Sequence, residues 1–201
     1  MISIIDYGMG NLRSVQKGLE RVGLVAQVTN RPEETVTATG VILPGVGAFK
    51  DAIANLRRTG MAEALREVVQ QRIPLLGICL GMQLLFTESE ENGNHQGLDI
   101  IPGRVVRFPY GEKVPHMGWN QLHQGRPSPL FTGIPNDSYF YFVHSYRCIP
   151  QGEESIGICH YGMDFCCAVQ KNNILGCQFH PEKSSALGLQ ILRNFGYMIN
   201  E

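Results

Sequence analysis

Several things are scarce or missing in this chain. No apolar run approaches the roughly 20 residues needed to cross a bilayer. Neither sign of charge dominates. Seventeen Lys and Arg face eighteen Asp and Glu, for a formal charge of -1 and a pI near 6.6. That balance argues against nucleic acid and against a polybasic membrane anchor. There is no internal repeat, low-complexity segment or interdomain linker, no Walker-type Gly-rich motif, and only one tryptophan. No Cys-x-x-Cys pair occurs. Cys159, His160, Cys166, Cys167 and Cys177 lie near one another, but on strand-like segments whose neighbours point to opposite faces. No metal site is expected from them.

What is present describes an ordinary globular protein, 43% hydrophobic and 17% charged. Its 201 residues fit one domain spanning 1–201, large enough for a substantial core. Ile2 to Ile5 is broken at once by Asp6 and reads as a first strand, without the basic flank or cleavage site of a signal peptide. The six cysteines are expected to be reduced, in a cytosol-like compartment.

The most informative stretch is Pro74 to Gln83. A short apolar run, Leu75 to Ile78, ends on Cys79, and helical spacing follows over Leu80 to Phe86. Gly77 and Gly81 flank Cys79 at the spacing of a nucleophile elbow, with sulfur in place of oxygen. Such an elbow is a strained strand-to-helix turn that tolerates only glycine at both flanks and leaves the nucleophile exposed above a sheet. A helix N-terminus beside the sulfur contributes roughly 0.3–1 kcal/mol, less than one unit of thiol pKa. A basic partner is therefore required.

Strands and helices alternate through the first half. Ile2–Asp6 is a strand, Leu12–Val22 a helix, Val25–Val28 a strand, Arg31-Pro32 a turn, Val41–Leu43 a strand, and 49–57 and 61–72 are helices. This predicts a parallel sheet covered on both faces. The strand at Val41–Leu43 runs into Pro44-Gly45-Val46-Gly47-Ala48-Phe49, whose glycines permit close backbone approach to a ligand. Ligands in such sheets bind at the carboxyl ends of strands, where Cys79 also sits. Ser89 to Asn94 reads as a surface loop. Beyond Arg104, strands are expected at 105–108, 139–143, 155–159, 166–170 and 174–179, completing the sheet in antiparallel fashion before a closing helix at 187–199.

The last of these strands delivers Gln178-Phe179-His180-Pro181-Glu182. In a near-extended His-x-Glu both side chains lie on one side, so the carboxylate can orient the imidazole. Cys79, His180 and Glu182 thus have the chemistry of a nucleophile, a general base and its orienter.

Pro44-Gly45-Val46-Gly47, Gly77-Ile78-Cys79-Leu80-Gly81-Met82-Gln83 and His180-Pro181-Glu182, in this order, resemble the class I glutamine amidotransferases of the triad type. The resemblance covers nearly the whole chain. It implies an α/β fold with a mixed, mostly parallel sheet flanked by helices and extra antiparallel strands in the C-terminal half. It also implies hydrolysis of L-glutamine through a cysteinyl thioester with release of ammonia, and no cofactor. Cys79 would be the nucleophile, His180 the base and then acid, and Glu182 its orienter. Backbone N–H groups near Val46 and of Leu80 would form the oxyanion hole. Gly47, Gln83, His144, Ser145 and Tyr146 would line the glutamine pocket.

Ile4-Ile5-Asp6-Tyr7-Gly8-Met9-Gly10-Asn11-Leu12, His116-Met117-Gly118-Trp119-Asn120 and Tyr141-Phe142-Val143-His144-Ser145-Tyr146 are similar to the glutaminase subunits of imidazole glycerol phosphate synthase, in histidine biosynthesis. This implies a cytoplasmic heterodimer in which ammonia passes to a (β/α)8-barrel cyclase subunit that makes imidazole glycerol phosphate and AICAR. Asn11, Trp119, Asn120 and Tyr141 would lie at the partner interface. Alternatives from the residues are the glutaminase subunit of pyridoxal phosphate synthase, a cysteine peptidase, or an inactive binding module. His-Met-Gly-Trp-Asn speaks against the first, and an intact Cys79, His180 and Glu182 against the last.

Overall fold

A computed structural model describes residues 1–199. The chain runs β1 (Ile2–Ile5), α1 (Leu12–Arg21), β2 (Ala26–Thr29), α2 (Pro32–Thr35), β3 (Gly40–Leu43), α3 (Phe49–Arg58), α4 (Met61–Gln70), β4 (Leu75–Ile78) and α5 (Leu80–Leu84). It continues through β5 (Phe86–Ser89), β6 (His95–Gln96), β7 (Ile101–Arg107), β8 (His116–Gln124), β9 (Ser138–His144), β10 (Tyr146–Pro150), β11 (Ser155–His160), β12 (Asp164–Lys171) and β13 (Ile174–Cys177), and closes with α6 (Ser185–Ile199).

β1, β3, β4 and β13 are buried at every position, as expected of strands covered on both faces. The period of two divides their side chains between two cores. Ile5, Val41, Leu43 and Leu75 meet α3 and α4 through Ile53, Leu56, Leu65 and Val68. Ile2, Ile4, Ile42, Leu76 and Ile78 meet α1 and α6 through Val15, Leu19, Ile191, Leu192 and Phe195. Each fully buried Leu, Ile, Val or Phe contributes about 1.5–3 kcal/mol.

The sheet runs in the order β2-β1-β3-β4-β13-β12-β10-β7-β5-β6, with β11, β8 and β9 branching from β12. β2, β1, β3 and β4 are parallel, and most later pairings are antiparallel, in line with the sequence. Two pairings depart from that expectation: β13 lies parallel to β4, and β5 parallel to β7.

Other differences are local. Arg31-Pro32 opens a helix because proline is pre-set for the first helical position. The helix after Cys79 stops at Leu84, since Phe86 is fully buried and already belongs to β5. Ser89, expected in a loop, is a buried strand residue. The strand at 25–28 begins one residue later, leaving Val25 exposed. β5, β6, β8 and β10 were not expected as strands. In β8 the apolar Met117 and Trp119 face out while His116 is buried, which inverts the usual pattern.

The glycines around the elbow are steric requirements. A Cβ on Gly81 would lie 1.8 Å from the Leu43 carbonyl oxygen, and one on Gly77 2.8 Å from Gly81 O and Met82 N. Gly125 has only ordinary contacts, the nearest at 3.7 Å. Gly81→Ala should therefore destabilise the fold by more than about 2 kcal/mol and Gly125→Ala by less than about 0.5 kcal/mol, as measured by urea unfolding.

Candidate active site

Cys79 follows β4 directly and adopts φ 55°, ψ -112°, a left-handed backbone that L-residues rarely occupy. The strain is held by the glycine contacts on both sides and by the Cys79 N–H, which donates to Cys177 O at 2.8 Å. The sulfur is not on an open surface. Cys79 is only 6% exposed, at the wall of a cavity of about 360 Å³. With only five residues in α5, dipolar help for the thiolate is small, so the burden falls on side chains.

The parallel pairing of β13 with β4 supplies them. Gly176 stands opposite Gly77 and Cys177 opposite Ile78, so both strands release their chains at the same edge of the sheet. His180 therefore reaches the cavity that holds Cys79. Glu182 approaches the ring through a 3-10 turn over Pro181–Lys183, in place of the near-extended His-x-Glu expected. Its Oε1 lies 2.8 Å from His180 Nδ1, with both side chains at most 2% exposed. The His180 N–H donates to Tyr141 O at 2.9 Å, and its carbonyl accepts from Ser184 Oγ at 2.6 Å. The imidazole is thus fixed by backbone and side chain together.

Burial alone would lower the pKa of His180, but hydrogen bonding and charge from Cys79 and Glu182 outweigh it and raise it to about 9. Among the described residues no atom meets hydrogen-bond geometry at His180 Nε2, and Glu182 Oε2 is likewise buried without a partner there. The sulfur is near enough to act on the ring through charge, but its geometric contacts are elsewhere. Sγ lies 3.8 Å from Val143 O and 3.7 Å from Gln178 Nε2.

Val46, Gly47, Leu80, Gln83, His144, Ser145 and Tyr146 all line this cavity with Cys79 and His180. The loop carrying Val46 and Gly47 packs onto the elbow. A Cβ on Gly45 would lie 2.9 Å from both Gly81 N and Leu80 Cβ, and Tyr7 Oη donates to Pro44 O at 2.9 Å. Gly47 has φ +101°, open to glycine but strained for other residues. The N–H of Leu80, in the first turn of α5, has no intrahelical acceptor and is available to a ligand.

Sequence reasoning missed Glu91, Pro115 and Val143, which also line the cavity. The polar run Ser89 to Asn94 places Glu91 in a surface loop. Its Oε2 accepts the Phe49 N–H at 2.8 Å, which places a carboxylate at the start of α3 and at the cavity wall. No sequence signal marks it, because the link spans two distant loops.

Behind the cavity lies a buried histidine pair. His144 Nδ1 is 2.7 Å from Tyr146 O, and a carbonyl can only accept, so Nδ1 carries the proton. His144 Nε2 then accepts from His116 Nδ1 at 2.9 Å, and His116 Nε2 accepts from Asn120 Nδ2 at 3.1 Å. Both rings are therefore neutral. Burial pushes His116 down to about 4 and His144 to about 3, the latter despite the Tyr146 hydrogen bond and with help from the charges of His116 and His180.

The four residues proposed for an interface separate. Trp119, half exposed, stands opposite Tyr141 on the outer face of β8 and β9, edge-on at 6.1 Å, beside exposed Met117 and Tyr139. Asn120 lies on the other face of β8. Its amide N–H groups go to His116 Nε2 and His160 O, and its Oδ1 accepts from Gln121 N. Asn11 immediately precedes α1 and is half-buried. Among the described residues no group of three or more His, Cys, Asp or Glu could hold a metal ion, and no helix is long and apolar enough to cross a membrane.

A strained cysteine, a buried His–Glu pair and a glycine loop meet at one cavity, the groups a thiol-dependent acyl transfer needs, and the class-I glutamine amidotransferase family model matches residues 3–199. The chain belongs to that family. A crystal structure described as a glutamine amidotransferase shares the fold, with a TM-score of 0.79 and 19% identity over 100% of this chain and 99% of that one. Within the class, the chain is 57% identical to the imidazole glycerol phosphate synthase subunit HisH of Moorella thermoacetica, over 98% of this chain and 95% of the relative. It is 54% identical to the same subunit of Desulfitobacterium hafniense, over 100% and 96%. That likeness places it in the HisH branch of the class.

The neutral histidines predict an acid-sensitive fold. Their folded pKa values lie below the unfolded value of 6.5, so the unfolded chain binds more protons at intermediate pH. Their stabilising contribution is complete above pH 6.5 and is lost as pH falls through about 4 and then about 3. Urea midpoints should fall over that window, and less steeply in His116→Phe, whose ring can stack between Phe142 and Tyr161 as His116 does.

Proposed function

We propose that this chain is the glutaminase subunit of imidazole glycerol phosphate synthase, with residues 1–201 forming one amidotransferase domain. It hydrolyses the side-chain amide of L-glutamine and passes ammonia to a (β/α)8-barrel cyclase subunit, in a cytoplasmic heterodimer that serves histidine biosynthesis. The observation that carries this reading is the convergence of Cys79, His180 and the Val46–Gly47 loop on one cavity, in a chain so similar to HisH subunits.

The geometry supports a two-stage reaction. The Cys79 thiol proton passes to His180 Nε2, and the sulfur attacks the glutamine side-chain carbonyl. Glu182, bound at Nδ1, stabilises the imidazolium without taking the proton itself. The oxyanion is received by the Leu80 N–H and by an N–H of the loop at Val46. One such donor is worth roughly 3–4 kcal/mol, or about 10² to 10³ in rate. His180 protonates the departing ammonia, and then activates water against the thioester. Glu91 offers the α-ammonium group of glutamine a counter-charge, while Gln83, Ser145 and Tyr146 bound the rest of the substrate. The outer face of β8 and β9, with Trp119 and Tyr141, is the proposed cyclase contact, since β9 also carries the Tyr141 and Val143 carbonyls that touch His180 and Cys79.

The test is ammonia release from glutamine by the chain with its cyclase partner. Cys79→Ala should abolish it while leaving the complex assembled and the cyclase active on added ammonium salts. Glutamine turnover near the wild-type rate would remove Cys79 from the mechanism. His180→Ala should cost about 10² to 10⁴ in kcat, the usual range for a general acid–base. Glu182→Gln should cost less, because the carboxylate orients but does not carry the proton; steady-state kinetics showing the reverse ranking would reassign the roles.

A further inference from the structure

We propose that Gln178 is a catalytic residue, an amide donor that holds the Cys79 sulfur in its thiolate form. Gln178 is fully buried, and its N–H donates to Cys167 O at 2.8 Å. It follows β13 as Cys79 follows β4, and the parallel register sets the two residues side by side. Its Nε2 lies 3.7 Å from Sγ.

The orientation of this amide follows from its neighbours. Gln83 has one terminal atom against Tyr146 O at 3.2 Å, and a backbone carbonyl can only accept. That atom is therefore the Gln83 nitrogen. The same nitrogen lies 2.9 Å from one terminal atom of Gln178, which must be Oε1. The remaining terminal atom, facing the sulfur, is an NH₂ group. A tyrosine carbonyl across the cavity wall thus determines which end of Gln178 meets the nucleophile.

This donor answers a need of the site. Sγ also faces the Val143 carbonyl at 3.8 Å, which suits a thiol proton and repels a thiolate. When the proton moves to His180 Nε2, the charge left on sulfur gains only a short helix and the imidazolium, unless an N–H points at it. Gln178 supplies that N–H. In the second stage the C–S bond breaks with its electron pair on sulfur, and the same N–H receives the returning charge.

The inference rests on Cys79 being the nucleophile, so its test avoids glutamine turnover. Iodoacetamide alkylation of Cys79 in the full-length chain is followed against pH by mass spectrometry, with Cys79→Ala subtracting the other five thiols. Gln178→Glu keeps an acceptor for Gln83 but sets an anion against the sulfur. Gln178→Leu removes the donor. The alkylation midpoint should rise in the order wild type, Leu, Glu, with Leu displaced by about one pH unit. A midpoint that is low in the wild type and unchanged in both folded variants would overturn the role of Gln178 alone. A wild-type midpoint at or above that of an ordinary thiol, about 8.5, would overturn the nucleophile reading and this inference together. Should the Leu variant fail to fold, the Glu variant decides.

Discussion

The parallel pairing of β13 with β4 is the constraint on which the site depends. Two strands distant in sequence end at the same level and the same edge, one delivering Cys79 and the other Gln178 and His180. An antiparallel β13 would have sent His180 to the opposite end of the sheet. Close approach is then enforced by backbone. Gly77 and Gly81 admit the elbow against its own helix and against the Leu43 carbonyl, and Gly45 lets the neighbouring loop rest on Leu80. The left-handed Cys79 backbone is held between these close approaches and by its N–H bond to Cys177 O.

Around that frame the polar groups behave as one connected system. Asn120, His116, His144, Tyr146 O, Gln83, Gln178 and Cys79 Sγ form an unbroken series of contacts, each with its proton direction set by the carbonyl in the middle. Such a buried network is stabilising only when fully satisfied, so each member restricts the others. Against this order, His180 Nε2 and Glu182 Oε2 are buried with no hydrogen-bond partner among the described residues. His180 Nε2 is the atom to which the proposed mechanism assigns the proton in transit.

The β8–β9 hairpin joins this interior to the outer surface. Its inner side carries His116, His144 and Phe142, its outer side Met117, Trp119, Tyr139 and Tyr141. The carbonyls of Tyr141 and Val143 bind His180 N and Cys79 Sγ, so movement of β9 changes the contacts of both. The hairpin thus has a half-exposed aromatic face on one side and contacts to Cys79 and His180 on the other.

The elbow was legible in the sequence because its cause is local: a cysteine between two glycines after an apolar run fits few other backbones. The parallel first half was legible for a similar reason, since runs such as Gly40–Leu43 and Leu75–Ile78 are buried on both faces and apolar throughout. The resemblance of three motifs pointed to Cys79, His180 and Glu182 and to the residues around them; the fold brings Cys79, His180 and the expected pocket residues to one cavity, holds Glu182 against His180 Nδ1, and leaves Trp119, Tyr141, Asn11 and Asn120 outside it. β8 was not legible, because its first half buries His116 and exposes Met117 and Trp119, so alternation gives the wrong face there. Nor was the position of Glu91, the turn that brings Glu182 to Nδ1, or the direction of β13, on which the meeting of Cys79 with Gln178 rests. These depend on contacts between segments far apart in the chain, and hydrogen bonds such as Gln83 to Gln178 leave no periodicity behind. Residue types and local spacing therefore determined which chemistry this protein carries, and long-range pairing alone decided which atoms face one another to perform it.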